Sequence, residues 1–230
     1  MRYFYPMARP TTRPNFSADA VRRIRTGRGS EMDLRNADLK NADLKNANLN
    51  MAILDGADLQ GADLQGADLL GAKLRNANLN SAKLNLAKVG IARLDNANLQ
   101  YAMMNRAGVS ESYLIGANLT AAVLREVDFS HSDLTDANLS HADLTGADLT
   151  DAILHGANLT SANLTGADLT GADLTGVKYD KTTRWPNGFT PPPPAPSGIP
   201  STALLLGGAA VALFAVVMLM NKKKATPSRV

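Results

Sequence analysis

The chain has 230 residues, and 24 Lys and Arg against 21 Asp and Glu leave a formal net charge of only +3. It contains no cysteine, which excludes disulfides, thiolate metal sites and cysteine nucleophiles. The charge is segregated, with +5 in residues 1–31, −8 in residues 32–176 and +6 in residues 177–230. Its basic character therefore belongs to the two ends and does not indicate a DNA-binding body.

Residues 1–31 form a basic N-terminal segment that is predicted to contain a short helix. Ser17 is suited to the N-cap, and the apolar Ala20, Val21 and Ile24 would share one helix face. We expect this helix to cap the first turn of the repeated region that follows, because a repeat array exposes its core at its ends. A basic membrane-surface helix is the alternative interpretation.

From Met32 to Gly176 the sequence repeats every five residues without a frame slip, giving 29 pentads. The third position is Leu in 25 of them, and the exceptions are Val89, Met104, Val109 and Phe129. The first position is Ala except at Met32, Ser112, Val127 and Ser132. A period of five aligns Leu on neither an α-helix nor a straight strand. The chain must therefore turn once per pentad, as in a solenoid whose coils stack at roughly 4.8 Å.

The motif A(D/N)LXX, as in ADLQG from Ala62 to Gly66, resembles that of the pentapeptide-repeat family. The resemblance implies an all-β fold, a right-handed quadrilateral β-helix with four pentads per coil and about seven coils. Residues twenty apart would then stack. We assign this solenoid to residues 32–180, with the short capping helix before it.

In the implied register, three of the four third positions that do not carry Leu stack in one interior column. Val89, Val109 and Phe129 occupy it in successive coils, and Val127 replaces Ala next to Phe129. We interpret this as local repacking, in which the larger Phe129 and Val127 fill the room left by smaller Val residues.

No catalytic, cofactor-binding or metal-binding residues are predicted. Regular pentads without an insertion offer little to exclude water or orient a substrate, so we expect no enzymatic activity and no cofactor. Asp128, Asp148 and Asp168 stack in one column, but a solvated acidic face is favoured over a calcium site because the glycine-rich calcium-binding repeat is absent. No register brings together the three histidines, His131, His141 and His155.

One block of the solenoid departs from the polar pattern of its outward positions. Large apolar residues stand there where other coils carry Asp, Asn, Thr or Gly. Exposed apolar patches often mark partner surfaces, and neutral drift of surface residues is the alternative. The candidate partner patch comprises Leu86, Ile91, Tyr101, Met103, Tyr113, Ile115 and Val123.

Residues 181–202 combine an aromatic cap with a Pro-rich linker. Tyr179 takes the next Leu position, and we expect Trp185 and Phe189 to cover the last coil. Residues 186–200 contain seven of the eleven prolines, which indicates a stiff polyproline II spacer. A ligand for an SH3-like domain is the alternative.

Residues 203–220 are 18 consecutive apolar residues, which as a helix would span roughly 27 Å, close to the thickness of a bilayer core. We predict a single-pass transmembrane helix that binds the lipid bilayer, followed by a basic tail at 221–230. The position of the span suggests a tail-anchored protein in a plasma or thylakoid membrane, with the solenoid facing the cytoplasm. Lys222 to Lys224 favour the opposite orientation. A sortase-type cell-wall signal is a further alternative.

These features favour a non-catalytic, membrane-anchored interaction or scaffold module that presents a β-helical rod to a membrane protein partner and binds no nucleic acid. The alternative follows from the resemblance, because some pentapeptide-repeat proteins are acidic rods that imitate DNA and occupy DNA gyrase, a type II topoisomerase. The central coils weaken that alternative by interrupting the acidic pattern with Lys73, Arg75, Lys83, Lys88 and Arg93.

Overall fold

The computed structural model describes residues 21, 22, 24 and 31–193. Val21, Arg22 and Ile24 have helical backbone, Ile24 is buried, and Val21 packs against the same core. The other residues of the expected capping helix lie outside the described residues, as do most of the Pro-rich linker and all of the apolar run 203–220. Within the described parts of the chain, no helix is long and apolar enough to cross a membrane.

The pentads of the repeat region share one backbone conformation, which the pentad from Ala62 to Gly66 illustrates. Ala62 and Leu64 are fully buried. Asp63, between them, forms a parallel bridge with Asp43 of the preceding coil. Gly66 ends the pentad in the left-handed region at φ 65°, which turns the chain into the next pentad. Single bridge residues take the place of longer strands throughout residues 31–193.

The bridges establish the register of the solenoid. They join residues twenty apart from Asp33 and Ile53 to Asn158 and Lys178, so four pentads complete one coil. The expected four-sided β-helix is therefore confirmed. Side 1 begins with the pentad 32–36, side 2 with 37–41, side 3 with 42–46 and side 4 with 47–51, and each side recurs every twenty residues.

Backbone hydrogen bonds connect the coils and close their corners. The amide of Leu64 donates to the carbonyl oxygen of Lys83 in the next coil at 2.7 Å, and that of Asp63 donates to Ala42 in the preceding coil at 2.9 Å. The amide of Ala67 closes the corner onto Leu64 at 3.0 Å. Inward Leu and Ala side chains form one continuous hydrophobic core from Ile24 to Val177.

The repeat pattern continues past Gly176. Val177 is buried at a first position and Tyr179 follows at the third. One extra residue then shifts the register, so that Arg184 bridges Asn163 across 21 residues. Trp185 consequently occupies a Leu position and packs against the core, together with Phe189.

The aromatic rings at this end contact one another. The ring of Trp185 meets that of Tyr179 edge-on and stacks on that of Phe189, with 5.3 Å between ring centroids in both pairs. The Tyr179 hydroxyl donates to the carbonyl oxygen of Pro192 at 2.5 Å. These contacts cover the last coil as the sequence predicts.

Candidate interaction surfaces

The structure places the seven residues of the candidate partner patch on the outside of the solenoid. Six of them have exposed fractions between 37% for Ile115 and 63% for Leu86, and Val123 is half-buried. None of these side chains contributes to the hydrophobic core.

The seven residues lie on two separate surfaces. Ile91, Tyr113 and Ile115 lie on side 1 or on the corner that leads into it, and we call them the side-1 group. Sides 1 and 3 are opposite sides of a four-sided coil, so one block of sequence supplies two surfaces. The remaining residues, which we call the side-3 group, are Leu86, Tyr101, Met103 and Val123.

Within the side-3 group, Met103 and Val123 stack directly through a parallel bridge. Tyr101 occupies the corner between sides 2 and 3, two residues before Met103, and is 57% exposed. Leu86 occupies the corner between sides 3 and 4, one coil before. The group therefore extends across side 3 and both of its corners.

A groove of about 340 Å³ adjoins this group. Amide side chains line its floor, where Asn85 Oδ1 accepts from the Asn105 amide at 3.0 Å and Asn105 Oδ1 accepts from the Arg125 amide at 3.2 Å. The groove combines the apolar Leu86 with these hydrogen-bonding groups. Sequence reasoning missed the polar lining, although it occupies fourth and fifth positions of the stacked side-3 pentads 82–86, 102–106 and 122–126.

Ion pairs border the groove. Arg106 Nε donates to Glu126 Oε2 at 2.8 Å, and this hydrogen bond raises the pKa of Arg106 and lowers the pKa of Glu126. Arg125 pairs with Asp143 at 2.5 Å. Burial opposes ionisation of Asp143, but hydrogen bonds from Thr145 and Arg125 outweigh it and lower its pKa. The charges along the groove are therefore already compensated, which suits a largely neutral partner surface.

Three residues of the candidate partner patch stand at corners with a positive φ. Leu86, Ile91 and Tyr101 have φ values of 60°, 57° and 58°, in the left-handed region that all 29 corners adopt; 15 of the other corners carry Gly or Asn and 11 carry other residues. This conformation costs an L-residue about 1–2 kcal/mol, and a β-branched residue such as Ile91 adopts it least readily. These side chains gain little burial in return, so core packing does not account for their presence at these corners.

Side 1 carries exposed apolar residues that sequence reasoning missed. Met51 is 52% exposed on the corner leading into side 1, and Ile153 is 42% exposed on the side itself. The twenty-residue register was the available signal, because Ile53, Tyr113 and Ile153 share one outward column. The Arg93 guanidinium lies over the Tyr113 ring in the same column, 4.5 Å from its centroid.

Charge is polarised along the repeat region. Residues 32–125 contain ten Lys and Arg and nine Asp and Glu, whereas residues 126–176 contain nine acids and neither Lys nor Arg. Asp128, Asp148 and Asp168 are bridged in succession on side 4. Among the residues that the structure describes, no cluster of three or more acidic or histidine side chains could hold a metal ion.

Comparison with protein families finds one match. The model for pentapeptide repeats matches residues 30–61, 52–88, 112–151 and 137–176, which together make up more than half of the chain. No curated protein matches the chain.

Solved structures similar to this chain include HetL, a pentapeptide repeat protein involved in heterocyst differentiation regulation in the cyanobacterium Nostoc. It is 36% identical, over 65% of this chain and 73% of its own, with a TM-score of 0.30. Rfr23 from the cyanobacterium Cyanothece is 29% identical, over 54% of this chain and 90% of its own, with a TM-score of 0.28. QnrB1, a plasmid-mediated fluoroquinolone resistance protein, is 22% identical, over 56% of this chain and 80% of its own, with a TM-score of 0.37.

Proposed function

Since the chain belongs to the pentapeptide-repeat family, we propose that it is a non-catalytic, membrane-anchored interaction module whose rod binds a membrane protein through the side-3 group. The observation that carries this proposal is the set of exposed apolar residues Leu86, Tyr101 and Met103 across side 3, with Leu86 lining the groove. These side chains are 39–63% exposed. Apolar and aromatic residues beside compensated charges are typical of the centre of a protein interface.

The strained corners strengthen the proposal. Leu86 and Tyr101 stand in the left-handed region although their side chains are exposed, so the fold gains little from them. Partner binding would offset that cost by burying both side chains in the complex. Each fully buried large apolar side chain contributes about 1.5–3 kcal/mol, which exceeds the strain.

Anchoring is proposed from the sequence of residues 203–220. Their 18 apolar residues match the hydrocarbon thickness of a bilayer, and the Pro-rich segment before them would hold the rod away from the lipid. Attachment to a membrane would also concentrate the rod near a membrane partner, so that a modest interface could suffice.

The binding surface is tested by the double substitution Tyr101→Asp plus Met103→Asp. Membranes that contain the full chain are treated with a cross-linker, and the covalent adducts are identified by mass spectrometry. We expect the double variant to lose its membrane protein adduct while keeping the wild-type unfolding midpoint. Met51→Asp, an equally exposed apolar corner on another side, is the matched control and should keep the adduct. An unchanged adduct in the double variant would refute the role of side 3.

The anchor is tested separately by alkaline extraction of membranes. The full chain should remain with the lipid, and a variant lacking residues 203–220 should be released. Recovery of the full chain in the soluble fraction would contradict the anchor but leave the side-3 surface open to a soluble partner.

The second candidate function is that of an acidic DNA mimic that binds a topoisomerase such as DNA gyrase. Nine acids without Lys or Arg in residues 126–176 favour it. A gyrase supercoiling assay with the purified chain distinguishes the two proposals. Inhibition that is relieved by Asp148→Asn plus Asp168→Asn would support mimicry, and supercoiling at the control rate would exclude it.

A further inference from the structure

The outward column of side 1 has chemically complementary halves except at its two ends, where Asp33 would meet Asp173. Successive bridges align its members in one row along the solenoid. When the row is reversed and laid against itself, Ile meets Ile, Lys meets Asp and Arg meets Tyr. In chain order the column is Asp33, Ile53, Lys73, Arg93, Tyr113, Asp133, Ile153 and Asp173.

We propose that a second copy of this chain packs antiparallel on side 1, about a two-fold axis that passes between Arg93 and Tyr113. Such an axis lies in the interface and runs perpendicular to the solenoid. It reverses the order of the coils while keeping the column opposite itself, as an isologous interface requires. This surface is distinct from the side-3 group, which the proposed function assigns to a different partner.

The apolar contacts follow from this arrangement. Ile53 lies opposite Ile153 of the second copy, and the symmetry repeats the contact at the other end of the interface. Ile153 is 42% exposed and Ile53 is half-buried in the single chain. The dimer therefore covers two apolar pairs that the single chain leaves in contact with water.

The charged contacts explain two side chains that lack an ion pair. Lys73 and Asp133 form no ion pair within the described part of the chain, although ion pairs are common elsewhere on the solenoid. In the antiparallel dimer each Lys73 lies opposite Asp133 of the second copy. Burial between two protein surfaces makes such a pair stronger than an exposed one.

The centre of the interface uses a contact that the single chain already makes. Arg93 lies 4.5 Å from the centroid of the Tyr113 ring and donates to Asp95 Oδ2 at 3.0 Å. The two-fold axis brings two such Arg–Tyr pairs together, so each ring can meet a guanidinium on both faces. At the ends Asp173 meets Asp33, whose charge Arg35 compensates at 2.7 Å.

The polarised charge of the repeat region selects the antiparallel orientation. Parallel packing would place the acidic residues 126–176 of both copies side by side. Antiparallel packing instead sets each acidic half opposite residues 32–80, which contain five basic and seven acidic side chains. Like-charge repulsion therefore disfavours the parallel arrangement more strongly than the antiparallel one.

Cysteine cross-linking tests the register directly, because the natural chain contains no cysteine. Within one chain residues 53 and 153 are five coils apart, about 24 Å, which is beyond the reach of a disulfide. The full chain with Ile53→Cys plus Ile153→Cys should therefore give a covalent dimer on oxidation. Ile53→Cys alone places the two thiols of the dimer five coils apart and is the matched control. Equal cross-linking in both variants, or none in either, would overturn the proposal.

A charge exchange tests the energetics by sedimentation of the full chain in non-ionic detergent. Lys73→Asp should weaken dimerisation about tenfold or more, and Lys73→Asp plus Asp133→Lys should restore it. Lys83→Asp changes the same charge in the same coil but on side 3, and should leave the dimer unaffected. If the single and double exchanges have equal effects, or if dimers form only through the apolar run 203–220, the proposal is wrong.

Discussion

The Ser112 hydroxyl donates a hydrogen bond of 2.8 Å to the carbonyl oxygen of Val89, 23 residues earlier and in the preceding coil. Ser132 makes the same bond to Val109, also at 2.8 Å. In most pentads the backbone amide of the first residue closes the corner onto the carbonyl three residues before it. The amide of Ser112 donates instead to Ser132 Oγ at 3.2 Å. Two buried hydroxyl groups thus replace a turn hydrogen bond and connect three coils.

Ser132→Ala is expected to destabilise the solenoid more than Ser112→Ala. Loss of the Ser132 hydroxyl removes the partners of both the Val109 carbonyl and the Ser112 amide, at about 1–3 kcal/mol for each buried group left unpaired. Loss of the Ser112 hydroxyl is milder, because the Ala92 amide still reaches the Val89 carbonyl at 3.3 Å. Urea unfolding followed by circular dichroism measures both variants. Equal midpoints would show that the corner relaxes to the ordinary alanine geometry.

Phe129 and Val109 are expected to be energetically coupled. Both are fully buried at third positions of adjacent coils on side 4. Phe129→Leu should cost about 1–2 kcal/mol by leaving a void, and Val109→Leu should cost about 1–3 kcal/mol by overpacking. The double variant should unfold close to the wild type, because the added and removed volumes compensate. Additive losses in a double-mutant cycle would contradict the repacking interpretation.

Ile91→Asn is expected to stabilise the chain by about 1 kcal/mol. Ile91 is 55% exposed at φ 57°, a conformation that asparagine tolerates far better than a β-branched residue. A gain of this size raises the thermal midpoint of a domain of this length by about 2–4 °C. Ile115→Asn, an exposed apolar site without a positive φ, is the matched control and should bring no gain. Equal midpoints for wild type and Ile91→Asn would mean that the corner is not strained.

The sequence predicts the core and the register because both depend on a strict period. A Leu and an Ala at fixed positions of each pentad can be buried together only if the chain turns every five residues, and the bridges between residues twenty apart confirm this. The continuation of the pattern to Trp185 is harder to predict, because one extra residue after Asp180 shifts the five-residue register.

The interaction surfaces on sides 1 and 3 are harder to predict from the sequence than the core. Met103 and Tyr113 are ten residues apart, which is half a coil, so neighbours in sequence point in opposite directions. The twenty-residue register would have separated them and would have added Met51 and Ile153. The Ser112–Ser132 connection is not predictable from the period, since it depends on which of several nearby carbonyl groups a hydroxyl reaches.

Asp180 is expected to make the C-terminal cap sensitive to acid. Its carboxylate accepts the Thr182 hydroxyl at 2.7 Å, the Thr182 amide at 3.0 Å and the Ser161 amide at 3.2 Å. These bonds, with that of the Thr182 hydroxyl the strongest, lower the pKa of Asp180 to about 2 from its usual 3.8. The unfolded chain therefore takes up a proton before the folded chain does. The stabilisation is complete above about pH 4 and is lost as the pH falls towards 2.

Trp185, the single tryptophan of the chain, is the natural probe of this effect. Asp180→Asn should lower the unfolding midpoint reported by Trp185 fluorescence at pH 5, and the difference from wild type should shrink at pH 2. The comparison between the two proteins cancels the acid response of other carboxyl groups, such as Asp173, whose pKa is also lowered. A difference that stays constant between pH 5 and pH 2 would mean that the Asp180 charge contributes nothing to the cap.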